Sequence, residues 1–179
     1  MRIMAFLAGV GAAMAAPAPA AVTGSSQWGF STESSVEIAA GPDAVYALLA
    51  QPGRWWEGSH TYSGDAANMT IALHAGGCFC EAIPAKAGPA GTVEHARVVQ
   101  AMPGQRLRLS GALGPLQGEG AVGTLDFAVT PSAGGAKVVM TYVVGGYIRG
   151  GPAAIAPLVD QVLATQLAGL KRAAERPAR

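Results

Sequence analysis

The stretch IAPLVDQVLATQLAGL at 155–170 decides the architecture. Ile155, Leu158, Val162, Leu167 and Leu170 recur at helical spacing, and Val159 and Leu163 widen the stripe. A helix with so broad an apolar face has to be covered. This helix is expected to start between Pro152 and Pro157, after the glycine pairs at 145–146 and 150–151, with Leu158, Val162 and Leu167 buried.

Upstream, the one surface large enough to cover it is a meander of short strands, read near 70–73, 78–83, 92–101, 106–110, 123–130 and 136–144. Gly76-Gly77, Gly88-Pro89, Pro103-Gly104 and Gly134-Gly135 fall where hairpins should turn. Leu125, Phe127 and Val129 alternate with Thr124, Asp126, Ala128 and Thr130, as in a half-buried antiparallel strand. Within 93–99 and 138–144 both faces carry apolar residues, so alternation leaves the inward face open. A first strand is read at 28–39. A short helix follows from Gly41-Pro42-Asp43 with Val45, Tyr46, Leu48 and Leu49 on its apolar face, and Gln51-Pro52-Gly53 stops it. The fold class is therefore α+β: a curved antiparallel sheet wrapped around a long C-terminal helix. The glycine-rich connection at 111–123 reads as a flexible segment able to cover a cavity.

Residues 1–20 are set apart from this domain. Arg2, an apolar run through Ala16 and the Ala18-Pro19-Ala20 pattern read as a secretory signal peptide cut after Ala20 or near Ala15 or Ala16. Gly9, Gly11, Pro17 and Pro19 interrupt the run too early for a membrane span. The expected organisation is thus a leader at 1–20, a polar spacer at 21–27 and one domain at 28–176, in a periplasmic or secreted protein. Without Arg2, eleven basic residues face eleven acidic ones. Lys171, Arg172, Arg176 and Arg179 crowd the C-terminus, where cations complement a helix dipole. No basic face spreads over the domain, so a nucleic-acid partner is not expected.

Candidate site residues come from five places. Cys78 and Cys80 lie two apart on a strand, so they share a face with Cα atoms about 6.8 Å apart, the upper edge of disulfide geometry. A local bulge could bridge them. Otherwise they read as small buried residues packing against the helix, as a redox pair, or as half of a soft metal site with His60, His74 or His95. Glu81 and His95 offer a carboxylate and an imidazole for acid–base work on an enolisable ligand, or else sit exposed on the convex face. Glu94 and His95, being consecutive, should point to opposite faces of a regular strand. Of Trp55 and Trp56, one should turn into the core and the other towards a cavity rim. Tyr142 and Tyr147 offer hydroxyls that would orient a ligand, or are ordinary half-buried strand residues.

Five segments in order carry a family resemblance: Ile38 to Tyr46 at the first helix, Trp55-Trp56, Gly76-Gly77-Cys78-Phe79-Cys80-Glu81, Pro103-Gly104-Gln105-Arg106-Leu107, and the helix from Leu158 to Leu170. The chain resembles the SRPBCC superfamily of helix-grip domains over about 28–174. That group includes START-like lipid-transfer domains, the birch-pollen-allergen fold, polyketide cyclases and the heat-shock ATPase activator homologues. The resemblance implies a hydrophobic cavity between sheet and helix, and the glycine-rich connection and the two tryptophans place it near the helix's N-terminal end. The Cys-x-His and Cys-x-x-His ligands of the ring-hydroxylating relatives are absent from the sequence, so no iron–sulfur centre is expected, and no other cofactor or metal is assigned. The function expected is binding of a small hydrophobic or amphipathic molecule, with Trp55, Trp56, Cys78, Cys80, Tyr142 and Tyr147 at the ligand. The alternative is a cyclase or dehydratase using Glu81 and His95. A protein-binding module like the ATPase activators fits poorly with export.

Overall fold

Strand periodicity and helix periodicity meet at one core. The computed structural model describes residues 21–85 and 88–177, so the expected leader lies outside the described residues. The strands are β1 (Ala21–Ser26), β2 (Gly29–Ile38), β3 (Met69–Ile71), β4 (Cys78–Ile83), β5 (Gly91–Met102), β6 (Arg106–Ser110), β7 (Gly120–Ser132) and β8 (Gly135–Tyr147). The helices are α1 (Pro42–Leu49), between β2 and β3, and α2 (Pro152–Ala174) at the end. All eight strands form one antiparallel sheet in the order β1-β2-β8-β7-β6-β5-β4-β3. Residues 21–26 were expected as spacer. They instead pair with β2 as an edge strand, and all six side chains are exposed. Backbone pairing and a Thr23–Ser31 hydroxyl contact hold this strand, so no apolar alternation announces it.

The ambiguous strands resolve by what they face. β8 turns Val138, Met140, Tyr142 and Val144 inward and leaves Val143 exposed. β5 buries Ala96 and Val98, but its register slips against β4 between Phe79 and Cys80, where Ala96 pairs Phe79 and Glu94 pairs Cys80. His95 is the unpaired extra residue, and this bulge turns it inward beside Ala96.

Pro152 starts α2, preceded by Gly151 at φ 86°, a conformation that disfavours a side chain. Pro157 sits inside the second turn and has no N–H to donate to the turn before it. Leu163, Leu167, Leu170 and Ala173 bury against the sheet core of Phe127, Leu107, Leu125 and Met140. Gly169 lets the helix approach the Trp55 carbonyl, with which any Cβ there would collide. At the far end Lys171 Nζ donates to Glu37 O at 2.5 Å, and Glu175 accepts from the Ala39 amide at 3.0 Å. By length and composition α2 could cross a membrane, but its packed C-terminal half makes it the core helix of this sheet.

The N-terminal half of α2 departs from expectation. Leu158 is 62% exposed and Val162 is only half-buried. The stripe is continuous in sequence, but the sheet grips only its second half. The first half is left facing a cavity.

Candidate functional site

Residues of four segments enclose that cavity. α2 contributes Ile155, Leu158, Val159, Val162 and Leu163; the glycine-rich connection contributes Leu113, Gly114 and Pro115; Trp56, His60, Tyr62 and His95 close the rest. The volume is about 170 Å³ and the lining is overwhelmingly apolar. For scale, an engineered cavity of about 150 Å³ in another protein holds benzene. A larger groove of about 790 Å³ lies at the C-terminal end of α2, lined by Ala40, Ala44, Ala173, Ala174, Arg54 and Arg176 among others. Its arginines are exposed and no buried polar group points into it, so it lacks the features of a ligand site.

The loop after α1 makes the cavity's outer wall. Trp55 is 4% exposed and anchors it: its Nε1–H donates to Leu48 O at 3.0 Å, and its ring meets Phe127 edge-on at 6.2 Å. Trp56 is half-buried, packs edge-on against Trp55 and Phe79, and donates its Nε1–H to His60 O at 3.1 Å. Of the two tryptophans, then, Trp55 is core and Trp56 is cavity wall. Tyr62 spans the rim, its hydroxyl donating to Gly114 O at 2.9 Å.

Beneath this wall lies a buried acid–imidazole pair. Glu81 is 1% exposed and His95 5%, with His95 Nε2 and Glu81 Oε2 2.9 Å apart. Both point inward, which corrects the reading of them as convex-face residues. The carboxylate also accepts the Tyr62 amide at 3.1 Å and the Ser63 amide at 2.5 Å. Burial pushes the Glu81 carboxyl up, but hydrogen bonds from Ser63, Tyr62 and His95 together outweigh it and hold the group below its ordinary value. His95 is also lowered: burial disfavours the imidazolium, and the neighbouring carboxylate only partly restores it. The pair is therefore an ionised carboxylate and a neutral imidazole. A carboxylate has only acceptors, so Nε2 carries the His95 proton.

A second imidazole is fixed in the same manner. Gln166 is fully buried on α2 and accepts the Glu57 amide through Oε1 at 2.8 Å. That contact orients the amide, so Gln166 Nε2 donates to Val162 O at 3.1 Å and to His60 Nδ1 at 2.8 Å. In this contact His60 Nδ1 is the acceptor, which places the ring N–H on Nε2. Gln166 was not singled out in the sequence, yet its signal was there: a polar residue midway between Val162 and Leu170 at i, i+4 spacing. Tyr62 and His60 carried no comparable signal.

The remaining candidates lie elsewhere. Cys78 and Cys80 form a disulfide, with Cα atoms 5.4 Å apart. The contraction from the regular strand spacing coincides with the β4–β5 bulge. Both are half-buried on the face opposite Phe79 and Glu81, so they neither touch the cavity nor pack against α2. Their neighbours are Glu94, 3.9 Å from Cys78 Sγ, and Arg97, which pairs with Glu94. The two sulfurs and Glu94 make the one metal-like cluster among the described residues, and the disulfide occupies its thiols. Tyr142 is fully buried, but its hydroxyl is committed, donating to Gly111 O and accepting from the Leu113 amide, both at 3.0 Å. Burial pushes its phenol up to about 12. It holds the glycine-rich connection in place and does not line the cavity. Tyr147 is 73% exposed and remote from it.

This arrangement defines a class: a helix-grip domain with an apolar cavity between its long helix and the loops that cover the sheet. The family described as polyketide cyclase / dehydrase and lipid transport matches residues 29–175, and the chain belongs to it. Solved structures agree on the fold. A Rhizobium leguminosarum protein superposes with TM-score 0.58 at 20% identity, covering 82% of this chain and 95% of that one. A Mesorhizobium loti protein gives 0.59 at 15% identity, covering 83% and 99%. The di-domain ARO/CYC StfQ from the steffimycin biosynthetic pathway gives 0.55 at 17% identity, and this chain covers 50% of it. No curated protein matches the sequence.

Proposed function

We propose that this protein is exported and holds a small hydrophobic or amphipathic molecule, about one ring in size, in the cavity under the N-terminal half of α2. The observation that carries the reading is the split of the helix stripe. Leu167 and Leu170 are locked into the core, while Ile155, Leu158, Val159 and Val162 are left to line an apolar cavity. Exposing Leu158 has a hydrophobic cost, which a bound apolar molecule offsets. Export is supported by the signal-peptide pattern at 1–20, and a disulfide fits an oxidising compartment. Titration with an apolar fluorescent probe tests the binding reading. Affinity should fall in Trp56→Ala and stay unchanged in Trp28→Ala, whose parent residue is 74% exposed and outside the cavity. Equal affinity in both variants would move the site elsewhere.

The Glu81–His95 pair supports a second reading, an enzyme of cyclase or dehydratase type. A neutral imidazole oriented by a buried carboxylate is a competent general base towards a ligand in the cavity. On that reading, His95→Gln abolishes turnover of an enolisable ketone and leaves its binding largely intact. Loss of binding and turnover together would return His95 to a purely binding role.

A further inference from the structure

The hydrogen-bond network behind the cavity determines which kind of atom the wall presents, and we infer from it that the site selects a single-ring molecule carrying a hydroxyl, which donates to His95 Nδ1. The inference rests on the cavity being the binding site. Glu81 accepts three hydrogen bonds, two from backbone amides and one from His95 Nε2. Neither amide can act as anything but a donor, so the carboxylate is held as acceptor and the imidazole proton is held on Nε2. The other ring nitrogen then carries a lone pair. His95 is 95% buried, lines the cavity, and has no partner for Nδ1 among the described residues.

Of the other side-chain polar groups at the cavity, His60 presents its Nε2 on an exposed ring with no partner among the described residues, and the rest are committed. Trp56 Nε1–H is used by His60 O, the Tyr62 hydroxyl by Gly114 O, and Gln166 by Glu57, Val162 and His60. His95 Nδ1 is therefore an acceptor with no protein donor among the described residues, on a ring that lines an apolar cavity, and it is left for a ligand donor to answer. A ligand carbonyl or ether oxygen would set lone pair against lone pair. A hydroxyl completes it. An ammonium donor would be stripped of water against Ile155, Val159 and Leu163 with no counter-charge on the lining, because Glu81 lies behind His95 and does not line the cavity. The cavity, about 170 Å³, limits the molecule to about one ring.

Phenol and anisole form the test pair, since both place an oxygen on a ring and only phenol can donate. Calorimetric titration of wild type should give phenol about tenfold or more the affinity of anisole, as one hydrogen bond to a buried acceptor implies. In His95→Phe the two affinities should converge to within about twofold, with ring binding retained. If that variant does not fold, long-range nitrogen–proton NMR of wild type decides. The His95 proton should sit on Nε2, and phenol should shift the Nδ1 resonance. A proton found on Nδ1, or equal affinity for phenol and anisole in wild type, overturns the inference and leaves the cavity reading standing. If neither molecule binds, both fail.

Discussion

Replacing Glu81 by Gln changes one oxygen to an amide group and little else in shape, yet the structure predicts a large effect. Two arrangements are open to the new side chain. With its oxygen at the Oε2 position it keeps the Tyr62 amide and His95, and its NH2 group meets the Ser63 amide, donor against donor. With its oxygen at the Oε1 position it keeps Ser63, orphans the Tyr62 amide and forces His95 to move its proton to Nδ1. Either way one buried backbone N–H loses its acceptor, at a cost of about 1–3 kcal/mol, and the surviving bonds lose their charge assistance. Relief from burying a charge offsets part of this, leaving a net loss of about 2–3 kcal/mol. That is a sizeable share of the 5–15 kcal/mol typical of a domain. Urea unfolding at neutral pH measures it. The sign of the pH dependence follows from Glu81's lowered folded pKa: its contribution is complete above the ordinary value of 4.5 and is lost as pH falls through the folded value. The gap between wild type and variant should therefore be widest at neutral pH and narrow in acid. A variant as stable as wild type at pH 7 would refute the claim that Glu81 is a buried carboxylate holding two loop amides.

Three further outcomes are expected. Leu167→Ala removes a side chain that is 1% exposed at the helix–sheet contact, and should cost about 2–5 kcal/mol in a denaturant titration. The double Cys78→Ser, Cys80→Ser variant should keep its circular dichroism spectrum and lose about 1.5 kcal/mol, because so short a closed loop restrains the unfolded chain little. His95 has a lowered folded pKa, so its stabilisation is complete above the ordinary value of 6.5 and declines as pH falls towards the folded value. Thermal melts of His95→Phe should therefore depend less on pH just below 6.5 than those of wild type.

The gripping half of the fold was legible because a single periodicity governs it. Leu163, Leu167 and Leu170 on α2, and Leu125, Phe127 and Val129 on β7, each meet one face and one core. The site was less legible because irregularity makes it. The period of two placed His95 by a regular strand, whereas the β5 bulge inserts it inward next to Ala96. Beside the same irregularity Cys78 and Cys80 are bonded on the outer face with Cα atoms 5.4 Å apart, closer than a regular strand would hold them. Leu158 belongs to the stripe by spacing but not by burial, since spacing records direction around the helix and not whether a sheet lies opposite. Tyr142 matched a ligand-orienting hydroxyl until its partners, Gly111 and Leu113, came from a segment with no periodicity at all.

The measurement that tests the central claim most directly is calorimetric titration of toluene into wild type and into Val162→Trp, the latter filling the cavity from its half-buried helical wall. The account predicts one site in wild type, with a negative heat-capacity change from apolar burial, and no measurable binding in a variant that melts as cooperatively as wild type. Undiminished binding by the folded Val162→Trp protein would contradict it.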